Sequence, residues 1–128
     1  HHIEQIVIGL GISGTYYSPC SWSYRPSEAV LNDVNADEDM KTGGQIDLLI
    51  DRNDKTVSVC EMKYSSGEYE ITKAYASHVE QRLRTFRKVT STKKSFSIVY
   101  VTPFGLHNNM YARKVNKQIT ADDLFRKV

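Results

Sequence analysis

The sequence predicts an α/β domain in which a central mixed sheet of about four strands is flanked by helices, in the order helix, strand, strand, strand, helix, strand and terminal helix. Three observations carry this. Residues 70–89 hold one long helical period, residues 45–51 and 56–64 read as two β-branched strands around a polar turn, and residues 95–101 form a continuous apolar run of the kind found in strands covered on both faces. With 128 residues and 40% hydrophobic content, the chain suits one domain with a real core, over residues 1–128, and is too short for two comfortable ones.

Ile3, Ile6, Val7 and Leu10 follow a helical period, and Gly9, Gly11 and Gly14 mark where that first helix should stop. "TYYSPCSWSY" (15–24) alternates aromatic and small residues in a strand-like way until Pro26 interrupts it. Residues 25–42 gather Glu28, Asp33, Asp37, Glu38 and Asp39 with few large apolar residues, and read as an acidic, mobile loop. The regular alternation of oxygen ligands that a calcium loop needs is missing there. The runs 45–51 and 56–64, parted by "RNDK", should make an antiparallel hairpin. In "EITKAYASHVEQRLRTFRKV" (70–89), Ala74, Tyr75, His78, Val79, Arg82, Leu83 and Phe86 lie along one broad stripe of a helix of about five turns. "SFSIVYVTPFG" is a strand ended by Pro103 and Gly105, and in "NKQITADDLFRK" Thr120 is poised to cap a short terminal helix with Asp123 three residues on.

Composition narrows the function classes. Lys and Arg number 17 against 15 acids, so any nucleic-acid argument rests on where the charges sit. Cys20 and Cys60 are the only cysteines, and neither sits in a closely spaced Cys/His set, which disfavours a zinc site and a disulfide framework and favours a reduced, cytoplasmic setting. No apolar run approaches the roughly 20 residues a membrane-spanning helix needs, and no membrane partner is expected.

The hairpin carries the chemistry. Asp47, Glu61 and Lys63 sit among apolar strand residues, and an ionised group in a sheet covered on both faces needs a partner, a ligand or an opening to solvent. Glu61 and Lys63 are two residues apart and share a face. Asp47 joins them only if the indices of facing residues have an even sum. A sum of 108 pairs Asp47 with Glu61 and Arg52 with Thr56 around a three-residue loop, whereas a two-residue Asn53-Asp54 turn sends Asp47 to the far side, so the site requires an odd loop or a bulge. With the even sum, two carboxylates come within about 5 Å by backbone measure. Such a pair shares a proton or a cation. Magnesium suits it, because that ion takes hard oxygens from one or two carboxylates and leaves room for waters and phosphate oxygens. A lysine alongside completes the parts of metal-assisted phosphodiester hydrolysis. The plain alternative is an ordinary polar strand with an exposed Glu–Lys pair, which is worth little to stability.

"QIDLLID" followed after a turn by "VCEMKY" resembles the Asp, then Glu-x-Lys, signature of the PD-(D/E)XK nuclease superfamily, whose fold is restriction-endonuclease-like. The longer phrase "GGQIDLLIDRNDKTVSVCEMKYSSGEYEITKAYA", with "HIEQIVIGLGISG" before it and "QITADDLF" near the end, is similar to the C-terminal region of bacterial AAA-type ATP-binding proteins. The resemblance implies Asp47 and Glu61 as ligands of Mg2+, with Mn2+ as a substitute, the Met62 carbonyl as a further ligand, and Lys63 orienting or activating the attacking water. Gln45 is a neighbour candidate. The superfamily often places a Glu on the first helix, where Glu4 is the available acid. Its Pro before the Asp is replaced here by Ile46, and the Gln-x-x-x-Tyr motif of one nuclease branch is absent. The N-terminal ATPase domain of a parent chain would be a partner, and a homodimer stays open. No Gly-x-x-x-x-Gly-Lys-Ser/Thr loop occurs, so ATP hydrolysis is not this chain's task.

Two basic groups flank the acidic site. Arg82, Arg84, Arg87, Lys88, Lys93 and Lys94 follow one another without an acid, and Arg113, Lys114 and Lys117 form a second group. Both suit phosphate contact in nucleic acid, DNA foremost, although cations at a helix C-terminus also have a purely structural use. Tyr75 and Phe86 read as core, His78 on the helix stripe reads as a packing or surface residue with substrate contact as the lesser alternative, and His107 has no assigned role. The expected function is metal-dependent hydrolysis of nucleic acid. The alternative is a catalytically silent nucleic-acid-binding or protein-interaction domain on the same fold.

Overall fold

The apolar runs become the middle of a five-stranded mixed sheet. The computed structural model describes residues 2–125, so Arg126 and Lys127 of the expected terminal helix lie outside the described residues. The strands are β1 (Tyr17–Tyr24), β2 (Gly44–Arg52), β3 (Thr56–Met62), β4 (Ser95–Val101) and β5 (Lys117–Ile119), in the spatial order β1-β2-β3-β4-β5. β1–β2 and β2–β3 are antiparallel, and β3–β4 and β4–β5 are parallel. The fold is therefore α/β as expected, with five strands where about four were expected. The extra strand, β5, has three residues, too few to show an alternation in sequence.

A parallel β3–β4 pair demands a crossover, and α4 (Lys73–Thr90) supplies it. Thr72 caps α4 by accepting a hydrogen bond from the Tyr75 N–H at 3.1 Å, and Ser91, at φ +56°, ends it in the left-handed region. α4 buries Val79, Leu83 and Phe86 against Ile46, Leu49, Val57 and Val59. The opposite face of the sheet, with Leu48, Ile50, Cys60, Val99 and Val101, is covered by Ile6 and Val7 of α1 (Ile3–Gly9) and Leu124 of α5 (Ala121–Leu124). Helices on both faces explain why the strands are apolar at both parities. β1, at the edge, is largely exposed and tolerates Pro19 because its outer N–H groups have no ladder to join. The Asp123 carboxylate accepts from the Thr120 N–H at 3.0 Å, the reach-back half of a capping box at α5.

Residues 25–42 are not an irregular loop. They contain α2 (Glu28–Asn32), capped by Ser27, and α3 (Glu38–Lys41), capped by Asp37. Helices of five and four residues are too short for a periodic signal. α3 is fastened to α4: the Lys88 ammonium lies 2.8 Å from both the Asp37 and the Asp39 carboxylate, Arg84 meets Asp39 at 3.2 Å, and the buried Thr85 hydroxyl donates to the Asp39 carbonyl at 2.8 Å.

The hairpin has the register that the site requires. Leu48↔Cys60, Leu49↔Val59, Ile50↔Ser58 and Asp51↔Val57 share an index sum of 108. The loop between the strands is Asn53, Asp54 and Lys55, with Lys55 at φ +64°, the left-handed residue usual in three-residue hairpin loops. The β1–β2 ladder adds an irregularity. Two steps along β1, Cys20 to Trp22, match three along β2, Leu49 to Ile46, so the extra residue of a β-bulge falls at Asp47–Leu48. This is why Ile46 packs with Leu49 while Leu48 packs with Ile50 on the other face.

The hydrogen bond from Lys88 is the largest of the effects holding the Asp37 and Asp39 carboxyls below the usual carboxylate range. A carboxyl depressed on folding contributes stability that is present above its ordinary range and lost as pH falls through the folded value. Acidification through that range should therefore loosen α3 from α4 before the sheet unfolds. Amide hydrogen exchange across residues 37–41 should accelerate with acid beyond its intrinsic pH trend in the wild type, and Lys88→Ala should show that faster exchange already at neutral pH.

Candidate active site at the split between β2 and β3

The β2–β3 ladder ends at Leu48↔Cys60, one step short of pairing Asp47 with Glu61, and β3 continues instead along β4 as far as Met62↔Val101, with the Lys63 N–H donating to the Val101 carbonyl at 3.0 Å. The direct cross-strand pair Asp47–Glu61 is thus absent from the ladder. The bulge at Asp47 turns the start of β2 away, and the two strands part. In the opening lies a cleft of about 340 Å3, lined by Gln45, Asp47, Cys60, Glu61, Met62, Lys63, Tyr75, His78 and Arg82. Asp47, Glu61, Met62 and Lys63, expected from sequence as the site, are brought to this one cleft together with Gln45, whose amide donates to the Asp47 carboxylate at 2.8 Å. Glu4 is not among them. It lies on α1 in a separate shallow pocket with Ile3, Gln5, Tyr17 and Pro19.

Glu61 is 4% exposed, whereas Asp47 is open to solvent. A carboxylate so buried needs compensation, and α4 provides it. Arg82 Nη1 donates to Oε2 at 2.9 Å and Oε1 at 3.1 Å, and the Tyr75 hydroxyl donates to Oε1 at 2.5 Å. Burial first, and the bond to Glu61 second, push the Tyr75 phenol up to about 12, so it remains a donor throughout the neutral range. The Lys63 ammonium sits 4.2 Å from the centre of the Tyr75 ring and 6.0 Å from that of Tyr69, held by their π faces. Burial, aided by the Glu61 charge, pushes the Cys60 thiol up to about 12, which removes it as a nucleophile.

Two partners of the site were not legible as such. Tyr75 reads as core and Arg82 as a surface cation, yet both serve Glu61, while His78, read as a packing or surface residue, is exposed and lines the cleft. Their offsets of three and seven residues place all three on one side of α4, and this polar thread beside an apolar stripe was the available signal. Phe86 is core, as read.

The basic cluster is not a uniform exposed patch. Arg82 is buried, and Arg84 and Lys88 hold α3. Lys94 pairs with Asp51 at 2.5 Å and donates to the Arg52 carbonyl at 3.0 Å, and Arg87 stacks over Phe96 at 4.2 Å. Lys93 is exposed. His107 lies 3.9 Å from both Glu68 and Glu70, away from the cleft. A more apolar cavity of about 260 Å3, between the start of α4 and residues 110–115, has Glu80 as its one carboxylate and lacks the acid pair.

The chemistry of the cleft's donor set decides whether a metal fits. Among the described residues no group of three or more His, Cys, Asp and Glu side chains is placed to hold an ion. Two carboxylates and a main-chain carbonyl remain, a set that suits a hard dication keeping several waters. The Glu61 carboxylate has about four lone-pair sites. Three of its contacts come from Arg82 and Tyr75, so the set fits magnesium on condition that Arg82 yields part of its hold.

No protein-family model and no curated protein matches the chain. Among solved structures, the crystal structure of AF1548, a protein of unknown function, is similar with a TM-score of 0.54 at 12% identity, over 96% of this chain and 64% of that one. The chain thus spans less than two thirds of the solved protein it matches, and likeness at this identity establishes a shared α/β fold alone. Among the described residues no helix is long and apolar enough to cross a membrane.

Breaking the buried pair on one side should cost more than removing it. Arg82→Met should lower the unfolding free energy by about 3–5 kcal/mol by stranding the Glu61 charge, and the double variant Glu61→Gln/Arg82→Met should recover most of it. Urea unfolding of wild type, both single variants and the double variant checks this; equal losses in the Arg82 single and the double variant would mean that Glu61 is not held by Arg82.

Proposed function

We propose that the chain is a nuclease-like domain of the PD-(D/E)XK type, on a restriction-endonuclease-like fold, that hydrolyses phosphodiester bonds of nucleic acid, DNA first, with Mg2+ or Mn2+. The observation that carries this reading is the gathering of Asp47, Glu61 and Lys63 at one cleft where β2 and β3 part. A dication held there by Asp47, Glu61 and the Met62 carbonyl would supply Lewis acidity to a phosphodiester oxygen and acidity to a water. The chain's own residues do the rest. Gln45 fixes the Asp47 carboxylate by its 2.8 Å hydrogen bond. Lys63, held against the Tyr75 ring, would orient the attacking water or carry phosphate charge, and His78, exposed at the cleft, would meet entering substrate. An N-terminal ATPase domain of a parent chain is the covalent partner that this reading expects.

A second reading has its own observation. Both oxygens of Glu61 are engaged by Arg82, and Oε1 also by Tyr75, as suits a silent domain that binds nucleic acid or protein through the same cleft without cutting.

The two readings separate on mutation. Lys63→Ala should leave Mn2+ binding largely intact and lower cleavage about 10²–10⁴-fold, the range of a general acid–base group. Asp47→Ala should lose Mn2+ binding and cleavage together, since few ligands would remain for a dication that dehydrates reluctantly, and should stay folded because Asp47 is exposed. Calorimetry with Mn2+ and cleavage assays on single-stranded and duplex DNA and on RNA test both. Wild-type protein that binds no Mn2+ at millimolar concentration and cuts none of these substrates would replace this reading with the silent domain.

A further inference from the structure

We infer that Arg82 is an exchangeable counter-ion of Glu61: its guanidinium competes with the dication for that carboxylate and is drawn off by a nucleic-acid phosphate, so that metal and nucleic acid bind cooperatively. This inference rests on the metal-site reading of the same cleft and adds a coupling that the reading does not contain. One guanidinium nitrogen reaches both Glu61 oxygens, at 2.9 and 3.1 Å, where a metal would have to bond. Two positive groups cannot both hold one buried carboxylate without strong repulsion. Arg82 also lines a second, adjoining polar pocket, with Tyr24, Arg25, Gly44, Gln45 and His78, so its side chain stands at the junction of two openings. A phosphate entering there would meet Arg82, Arg25 and His78 together, and arginine suits phosphate as well as it suits carboxylate.

The energetics follow a population argument. If the metal-competent form, with Arg82 turned from Glu61, is a minor fraction, the apparent metal affinity is reduced by that fraction. A phosphate that stabilises the turned form removes the penalty. By linkage the metal must raise nucleic-acid affinity by the same factor. Tyr75 keeps its bond to Oε1 throughout and holds Glu61 in place during the exchange. Arg82 is thus a positioning residue, acting through Glu61.

Calorimetric titration of the intact protein with Mn2+, alone and with a phosphorothioate single strand or duplex that resists cleavage, tests the coupling without any variant. Wild-type protein should bind Mn2+ at least about ten-fold more tightly with the oligonucleotide present. Arg82→Met should bind Mn2+ about ten-fold more tightly than wild type without oligonucleotide, should show a clearly smaller gain than wild type when it is added, because only direct contact between phosphate and metal then couples the two, and should regain stability to urea as Mn2+ is raised. Arg82→Lys, which keeps a single charge with fewer donors, should fall between the two and serves if the methionine variant does not fold. Wild-type affinity for Mn2+ that ignores the oligonucleotide, or an Arg82 variant that binds Mn2+ no better than wild type, overturns the exchange while leaving the metal site standing. Absence of Mn2+ binding in every protein under every condition would overturn the metal site and the exchange together.

Discussion

Burying the Glu61 carboxylate is the constraint on which the rest of the site depends. At 4% exposure it sits on a strand between α4 and the other layers of the domain, where an unpaired charge would cost several kcal/mol. Arg82 and Tyr75 answer that cost from α4, and their presence on one side of the helix fixes how α4 lies across β3. The same tyrosine carries the Lys63 ammonium on its face. One helix therefore neutralises the acid, locks its geometry and holds the neighbouring lysine.

The opening beside Glu61 has a backbone cause. An even hairpin register brings β2 and β3 together as far as Leu48 and Cys60, and the bulge at Asp47–Leu48 then parts them. Without that extra residue the apolar sets at Ile46 and at Leu48 would face the same layer. With it, Ile46 helps bury α4, Leu48 helps bury α1, and the polar residues Gln45 and Asp47 are left at the edge of a cleft. A sheet covered by helices on both sides can in this way present one acid, Asp47, to solvent beside a buried one, Glu61, without opening its core.

Much of this was legible in the sequence, for identifiable reasons. The spacing of "RNDK" between two β-branched runs limited the hairpin to a few loops, and the loop with an even index sum is the one formed. The α/β class followed from one long helical period and strands apolar at both parities. A bulge was one of the two devices the site required, but its presence beside the odd loop and its position were not legible, because no glycine or proline marks Asp47 or Leu48. β5, α2 and α3 were missed because elements of three to five residues carry no period. The cations of α4 read as a nucleic-acid patch because their partners are remote: Arg84 and Lys88 meet Asp39 and Asp37 across 45 and 51 positions of chain. Arg82 was placed with them, although its neighbour in space is Glu61, 21 residues back.

Diffraction from a crystal soaked in Mn2+, with anomalous signal recorded, tests the central claim most directly. A peak is expected in the cleft within bonding distance of the Asp47 and Glu61 carboxylates and the Met62 carbonyl, with Arg82 moved off at least one Glu61 oxygen. An ordered cleft with no peak at millimolar Mn2+ and with Arg82 still bridging both oxygens of Glu61, or an Asp47 carboxylate turned to the opposite face of the sheet from Glu61, would contradict it.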